Sequence, residues 1–394
     1  MSNQLYTYKL KLKPSKLQTI LLNKHCGAIR FVYNYFLNAR KECYLKETKS
    51  INYNETSSLL TQLKKDVATG WLKEVNSQSL QAGLKNLDTA FDRFFKKKAH
   101  FPKFHNKYRQ ASFKIPQKTK IVNNKLVIPK FLEGIRFAEN KEIQGEIKFS
   151  TISREPSGEY FVSITVEKNI EEFPKTGKAV GIDLGIKDLV ICSDKKVYKN
   201  PKNTYKYEVI LKRAQQHLSR KVKGSNNRDR ARIKVAKIHK KITNCRKDTI
   251  HKTTTDLVKN NDLIMMESLR VKNMVKNNKL AKALSDASFG EIKRQLEYKC
   301  IWYGKVLIKI GTFFPSSKTC SNCGHINQNL KLSDRDWICS QCATKHDRDH
   351  NASVNILKEG LRQISLGTSD YTCGANISLD LVKLMALKQG ASGL

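Results

Sequence analysis

The sequence AVGIDLG, at residues 179–185, is an apolar strand that carries a carboxylate, Asp183. A second apolar run, LIMM, leads directly into Glu267, and a third acid, Asp349, lies in DRDHNA at residues 347–352. The whole chain carries 74 Lys and Arg against 35 Asp and Glu, a formal charge of +39. An acid on or beside an apolar strand in so basic a chain needs its own explanation, because an unpaired buried carboxylate is costly. Metal coordination is one such explanation.

Composition bounds the class of protein. A chain of 394 residues with 39% hydrophobic content can build a sizeable core in roughly two to four domains. Its basic surface attracts polyanions, so nucleic acid is the leading partner and an acidic membrane surface is the alternative. No apolar run approaches the roughly 20 residues that cross a bilayer, and residues 1–10 lack the apolar segment of a secretory signal. We expect an intracellular, cytoplasmic protein associated with the nucleoid and not with a membrane.

Two C-x-x-C pairs, separated by fifteen residues, predict a zinc site. Each pair lets two thiolates reach one ion from a tight turn, which Gly324 after the first pair suits. Four thiolates close a tetrahedral shell, so the zinc should be structural, and His325 and His346 are unnecessary as ligands. The expected ligands are Cys320, Cys323, Cys339 and Cys342. The other cysteines should be core or incidental residues: Cys26, Cys43, Cys192, Cys245, Cys300 and Cys373.

The first half of the chain predicts helices inside a small β domain. A strand from about residue 4 to residue 12 precedes a helix for which Ser15 is a suitable N-cap, and a second amphipathic helix covers residues 80–95. Beyond residue 120 the apolar residues alternate, and the turn sequence PSG at residues 156–158 predicts a β hairpin. Because β segments flank the helical block, we expect the helices to be an insertion.

The second half predicts alternating strands and helices. Strands are expected around Asp183, at residues 188–193, before Glu267 and at residues 306–310, with a helix between the last two. Between them lie two basic helices joined by a turn at residues 224–227. A solvated charged face is the alternative for these helices, but the excess of cations favours phosphate contact. The candidate contacts are Arg220, Lys221, Arg228, Lys240 and Lys241.

The three acids predict a two-metal site for phosphodiester hydrolysis. Such a site needs a few carboxylates on rigid neighbouring elements that hold two hard cations about 4 Å apart. Asp183, Glu267 and Asp349 would supply them if a ribonuclease-H-like sheet brought them together. Each acid also has a simpler explanation: Asp349 could cap its helix, Glu267 could mark a strand end, and Asp183 could pair with a lysine. Asp347 competes with Asp349 for the third place.

These segments together resemble one family. The sequences GIDLGIK (181–187), MESL (266–269), the four cysteines and HDRDHNA (346–352) occur in the order seen in TnpB, the insertion-sequence proteins similar to ancestors of type V CRISPR effectors. The sequences CGAIRFVYN (26–34) and FFPSS (313–317) are also similar to theirs. The resemblance covers nearly the whole chain.

The resemblance implies a multidomain α+β fold: a RuvC-like, RNase H-like α/β nuclease with an inserted four-cysteine zinc element, and a wedge β-barrel-like domain that carries a helical recognition insertion. The expected wedge is residues 1–12 and 120–177, around a recognition domain at 13–119. The expected nuclease is residues 178–317 and 345–368, around a zinc element at 318–344, with a tail at 369–394.

The resemblance also implies the function, an RNA-guided DNA endonuclease encoded by a transposable element. The family's catalytic acids fall on Asp183, Glu267 and Asp349, which would bind two Mg²⁺ ions and hydrolyse DNA without a covalent intermediate. A guide RNA from the transposon end would select a double-stranded DNA target by base pairing, and the protein would read only a short adjacent motif. The positions for that contact are Tyr53, Ser57 and Gln81. We expect a monomer in the ribonucleoprotein.

Two other functions fit parts of the sequence. A transposase could use the same sheet and acids to join DNA strands without RNA. A zinc-stabilised nucleic-acid-binding regulator would act without the acids.

Overall fold

The computed structural model describes residues 3–107, 111–331, 333–366 and, for the backbone alone, 370–373. It divides into two compact units. The first contains residues 3–169 and 232–237, and the second contains residues 170–231 and the described residues from 238 onward. In these described segments, every helix is too short or too polar to cross a bilayer.

The first unit is an antiparallel sheet with helices inserted after its first strand. The sheet has the order β2-β6-β7-β1-β5-β4-β3. Its strands are β1 (Gln4–Lys13), β2 (Ala111–Ile115), β3 (Lys120–Val122), β4 (Lys125–Ile128), β5 (Phe131–Phe137), β6 (Glu146–Arg154) and β7 (Tyr160–Lys168). Its helices are α1 (Lys16–Glu47), α2 (Tyr53–Leu63), a 3-10 turn (Gly70–Glu74) and α3 (Ser77–Phe95). Because β1 pairs with β7 and β5, the helices are the insertion that the sequence predicts.

Local sequence signals explain the ends of these elements. Ser15 begins α1 with a capping box: its hydroxyl accepts from the Gln18 amide at 3.2 Å, and the Gln18 side chain accepts from the Ser15 amide at 3.0 Å. Strands β6 and β7 form the predicted hairpin around the turn at residues 156–158. One boundary differs from the expectation. The helical region ends before residue 119, because β2 already pairs with β6.

The second unit is a six-stranded sheet of order β10-β9-β8-β11-β12-β15. Its strands are β8 (Ala179–Asp183), β9 (Asp188–Cys192), β10 (Val197–Lys199), β11 (Leu263–Glu267), β12 (Val306–Ile310) and β15 (Asp370–Cys373). Strands β8, β11 and β12 are parallel, whereas β9, β10 and β15 run antiparallel to their neighbours. The first five strands have the 3-2-1-4-5 order of a ribonuclease-H-like sheet.

The other elements of this unit follow the predicted order. The helices are α4 (Asn203–Ser219), α5 (Asn226–Asn260), α6 (Val271–Met274), α7 (Asn278–Ala287), α8 (Phe289–Tyr303) and α9 (Arg348–Ser365). Residues 232–237 of α5 belong to the first unit. The short strands β13 (Asp336–Ile338) and β14 (Lys345–Asp347) form a separate hairpin. Helices α4 and α5 are the two basic helices that the sequence predicts. The expected tail at 369–394 includes a strand of the sheet, because β15 pairs with β12. The other residues of the expected tail lie outside the described segments.

Helices cover both faces of the six-stranded sheet. On β11, Ile264 and Met266 pack into a core with α5 and α8, whereas Leu263 and Met265 pack into a second core with Ile356 of α9. Alternate residues of one strand therefore face different helices, which requires the nearly continuous apolar sequence that the parallel strands have.

A buried ion pair fixes the beginning of the parallel strands. The ammonium of Lys305, before β12, lies 2.5 Å from Asp262 before β11, and both side chains are almost completely buried. The second oxygen of Asp262 accepts from the amides of Thr176 and Gly177 at 2.8 and 2.6 Å. Asp262 is thus an acid beside an apolar strand, and the buried Lys305 ammonium balances its charge.

Glycine lets α9 approach β8 closely. A Cβ at Gly181 would lie 2.1 Å from the Ser353 carbonyl oxygen and 2.5 Å from the Leu357 amide nitrogen of α9. We predict that Gly181→Ala lowers the free energy of unfolding by about 1–3 kcal/mol, because the backbones must move apart. Thermal or urea unfolding measures this effect.

Gly290 is the matched control for that substitution. It lies in α8 of the same unit, and in the described segments no atom outside its chain neighbours and its own helix backbone lies within 4 Å of the position of its Cβ. Gly290→Ala should therefore leave stability unchanged or raise it by up to about 1 kcal/mol. Equal effects of the two substitutions would contradict the close approach of α9 to β8.

Candidate active site and zinc element

The parallel register brings two of the predicted acids to one edge of the sheet. Met266 of β11 is opposite Ile182 of β8, so Glu267 and Asp183 follow at the same level, at the carboxyl ends of their strands. Each acid lies two residues after a residue that faces α9. Gly181 lies against the backbone of α9, and Met265 packs into the core that α9 shares. Strand alternation therefore directs both carboxylates to the face that α9 covers.

The third acid comes from the first turn of α9. Helix α9 begins at Arg348, and the side chain of the preceding residue, Asp347, accepts from the His350 amide at 2.7 Å. Asp347 is thus the exposed N-cap, and Asp349 lies inside the helix, half-buried. The structure therefore assigns the capping role to Asp347 and leaves Asp349 to make other contacts.

Burial and the charges of both other acids raise the pKa of Asp183. Burial raises the pKa of Asp183 to about 7, and repulsion from Glu267 and then from Asp349 adds to this increase. Burial also raises the pKa of Glu267. Asp183 is thus a buried carboxylate close to two other acids in a protein that has 74 basic side chains. A bound cation would remove this repulsion.

Two arginines contact Asp349. One carboxylate oxygen accepts from the Arg348 guanidinium at 2.9 Å, and the other accepts from Arg335. Arg335 directly precedes the β13–β14 hairpin, and its backbone carbonyl accepts from the Arg348 amide at 2.7 Å. Neither arginine was expected at the site from the sequence.

The four predicted cysteines converge. Their sulfur atoms all lie within 4.8 Å of one another, and within the described segments they alone form a cluster of at least three His, Cys, Asp or Glu ligands this close. Two of the sulfur pairs, Cys320 with Cys342 and Cys323 with Cys339, are 3.6 Å apart. Tetrahedral zinc thiolates, with bonds near 2.3 Å, place sulfurs about 3.8 Å apart. The cluster therefore fits a zinc ion.

The surroundings of the cysteines suit a structural site. Gly324 has the left-handed backbone that the first turn requires, with φ +79°. The Nε2 atom of His346 lies 3.0 Å from the Cys320 sulfur, and its ring packs against Trp337. His325 instead contacts Ser340 at 3.2 Å. Both histidines lie beside the cysteines and outside the set of four sulfurs.

The predicted nucleic-acid contacts lie on, or directly after, helices of both units. Tyr53 and Ser57 are half-buried on α2, and Gln81 is exposed on α3, all in the first unit. In the second unit, Arg220 and Lys221 follow α4, and α5 carries the remaining three, Arg228, Lys240 and Lys241.

Arg228 has a structural partner that the sequence did not reveal. Its guanidinium donates to the carbonyls of Leu218 and Lys221 at 3.1 and 2.9 Å, which satisfies the end of α4. The Lys241 ammonium lies over the Tyr207 ring at 5.3 Å. The charge run therefore contains at least one arginine that holds the turn between α4 and α5.

Three family profiles and several curated proteins are similar to this chain. Family profiles match at residues 161–278 ("Probable transposase", OrfB of IS605), 289–356 (Cas12f1-like TNB domain) and 1–49 (helix-turn-helix domain of OrfB). A "Putative RNA-guided DNA endonuclease" of Streptomyces pristinaespiralis is 40% identical, over 91% of this chain and 90% of the relative. InsQ of Escherichia coli K12, described in the same words, is 32% identical over 92% of this chain and 94% of the relative.

A solved structure has the same fold. The chain of a Cas12f1–sgRNA–target DNA complex aligns with a TM-score of 0.52 and 14% identity, covering 90% of this chain and 98% of that chain. The ribonuclease-H-like sheet, the acids at its edge and the four-cysteine element define a RuvC-like nuclease. With the two relatives matched over nine-tenths of their length, the chain belongs to the TnpB family of RNA-guided DNA endonucleases.

Proposed function

We propose that this protein is an RNA-guided DNA endonuclease of an insertion sequence that uses Mg²⁺ at Asp183, Glu267 and Asp349. The observation that carries the proposal is that Asp183 and Glu267 end neighbouring parallel strands at one edge of the sheet, where burial and the charges of Glu267 and Asp349 all raise the pKa of Asp183. Carboxylate oxygens are the ligands that Mg²⁺ prefers, so the donor set fits that ion. The four thiolates fit zinc and leave it no open position, so the zinc should take no part in cleavage.

Each acid has a role that follows from its place. Asp183, on which both other acids act, would be the central ligand of the divalent cations, and Glu267 and Asp349 would supply further carboxylate ligands. Bound divalent cations supply an activated water and stabilise the leaving oxygen in such sites. The strands and α9 hold the carboxylates in place before substrate arrives, which reduces the reorganisation needed in the transition state.

The partners follow from charge and family. A formal charge of +39 favours phosphate backbones. We infer that a guide RNA from the transposon end and a double-stranded DNA target occupy the basic surfaces, that Tyr53, Ser57 and Gln81 contact the target-adjacent motif, and that the ribonucleoprotein contains one protein copy. The protein would act near the nucleoid.

One experiment tests the proposed function. The RNA that copurifies with the protein is sequenced, and a plasmid with the matching target is added with Mg²⁺. We expect cleavage that requires both the RNA and the divalent ion. Strand-transfer products without RNA would instead favour a transposase. Repression that survives replacement of each acid would favour a binding regulator.

Arg335 should compete with metal at Asp349. The Arg335 side chain is 44% exposed, and such a surface pair contributes at most about 1 kcal/mol. We predict that Arg335→Ala strengthens Mn²⁺ binding by up to about fivefold, measured by titration of the zinc-loaded protein. Lys345→Ala removes the same charge from an exposed residue of the same hairpin and should change affinity less. Weaker binding by the Arg335 variant would contradict competition.

A further inference from the structure

A serine outside the acidic set contacts one of its members. Ser316 is buried, with 5% of its surface exposed, and its hydroxyl donates to Glu267 Oε1 at 2.5 Å. It lies in the segment that joins β12 to the zinc element, 49 residues from Glu267 in sequence. The adjacent Ser317 is half-buried, and its hydroxyl has no hydrogen bond to the described part of the chain.

The segment that carries Ser316 is fixed to α9. The Asn355 side chain donates to the Ser316 carbonyl at 2.8 Å and to the Thr319 carbonyl at 2.6 Å. One turn earlier, Asn351 donates to the same Thr319 carbonyl at 2.7 Å and accepts from the Ser321 amide at 2.9 Å. Both asparagines are buried. The helix that supplies Asp349 therefore also fixes the backbone of Ser316.

This arrangement restrains Glu267. A glutamate side chain at a strand end can adopt several rotamers, and burial next to another carboxylate favours those that turn it away. A hydrogen bond from a fixed hydroxyl selects one orientation. It uses one acceptor site of Oε1 and leaves the other sites of the carboxylate available for a cation.

We propose that Ser316 is a positioning residue that orients the Glu267 carboxylate for its divalent cation, with Asn355 and Asn351 holding the segment in register with Asp349. The inference rests on the proposed function, because it requires that Glu267 binds metal. Groups that orient metal ligands are typically worth 10–100-fold in metal affinity.

The test measures divalent metal binding by the full-length, zinc-loaded protein. Mn²⁺, which prefers the same octahedral oxygen ligands as Mg²⁺, is the probe, followed by electron paramagnetic resonance. We expect Ser316→Ala to weaken Mn²⁺ binding about tenfold, and Ser317→Ala to bind as the wild type does. Zinc content and the unfolding midpoint are measured for every variant, because a purely structural role would lower the midpoint and leave Mn²⁺ affinity unchanged.

A second pair of variants separates the hydroxyl from side-chain volume. Ser316→Thr and Ser316→Val add nearly the same volume, and only Thr keeps the donor. Tighter Mn²⁺ binding by the Thr variant than by the Val variant supports the proposal even if Ser316→Ala folds poorly. Equal affinity of the Thr and Val variants would overturn it.

Glu267→Gln distinguishes failure of this inference from failure of the proposed function. If Glu267→Gln weakens Mn²⁺ binding and Ser316→Ala does not, the metal site stands and Ser316 does not position it. If Glu267→Gln binds Mn²⁺ as the wild type does, Glu267 is not a metal ligand, and both the metal site and the inference built on it fall.

Discussion

Asp183→Asn should abolish DNA cleavage while the guide RNA still copurifies. Asp183 is the acid on which both others act, so its loss would remove the central carboxylate of the proposed cation site. We expect the cleavage rate to fall at least about a thousandfold, or roughly 4 kcal/mol of transition-state stabilisation. Plasmid cleavage at saturating guide measures the rate, and the RNA bound per protein is measured in parallel. A variant that loses the RNA yet still cleaves would refute the assignment.

The metal-free protein gives an independent measure of the same substitution. The pKa of Asp183 is raised to about 7, so the folded state binds more protons than the unfolded state between the ordinary aspartate pKa and pH 7. The wild type should therefore lose stability as pH rises through that window. Asp183→Asn should not show this loss and should melt at a higher temperature than the wild type at pH 8. A functional site commonly carries such a stability cost.

Asp347 and Asp349 provide a matched comparison two residues apart. Asp349→Asn should lose cleavage, because the charge of Asp349 acts on Asp183 at the proposed metal site. Asp347→Asn should retain it, because asparagine caps a helix as well as aspartate does and Asp347 contacts the His350 amide. The opposite result would move the third ligand to Asp347.

Cys339→Ser should remove the zinc and unfold the zinc element. Cys339 is buried in the cluster, and structural zinc sites contribute about 10–16 kcal/mol of apparent binding free energy. We expect stoichiometric zinc in the wild type and little in the variant, by elemental analysis, with rapid amide hydrogen exchange across residues 318–344. Cleavage should fall as well, because the segment that holds Ser316 leads into this element.

The control for zinc loss is a cysteine outside the cluster. Cys245 is half-buried on α5, so Cys245→Ser should keep the zinc and the protection of the element. Full zinc content in Cys339→Ser would contradict the four-thiolate site.

Much of the local structure could be predicted because its causes are local. Ser15 and Gln18 lie three residues apart and form the cap themselves. The hairpin of β6 and β7 follows from alternation and its turn, and the two C-x-x-C pairs follow from spacing. Asp183 and Glu267 could be recognised as unusual because they end apolar strands in a basic chain.

Contacts between distant segments could not be predicted in this way. Asp262 also adjoins an apolar strand, yet Lys305 neutralises it, and no local pattern distinguishes it from Glu267. Arg228 lies in a run of cations, but its neighbours in space are carbonyls. The FFPSS sequence marked the segment of Ser316 without indicating which serine bonds to Glu267 or that either does.

The sequence by itself determined the elements and the kinds of chemistry available: caps, periodicities, four thiolates, three acids and a large positive charge. The tertiary structure decided which groups meet. The register of β8 and β11, the phase of α9 after the Asp347 cap, and the close approach allowed by Gly181 together set which acids lie at this edge of the sheet. The physical reason is that local signals act over a few residues, whereas the geometry of a site depends on packing between strands and helices far apart in the chain.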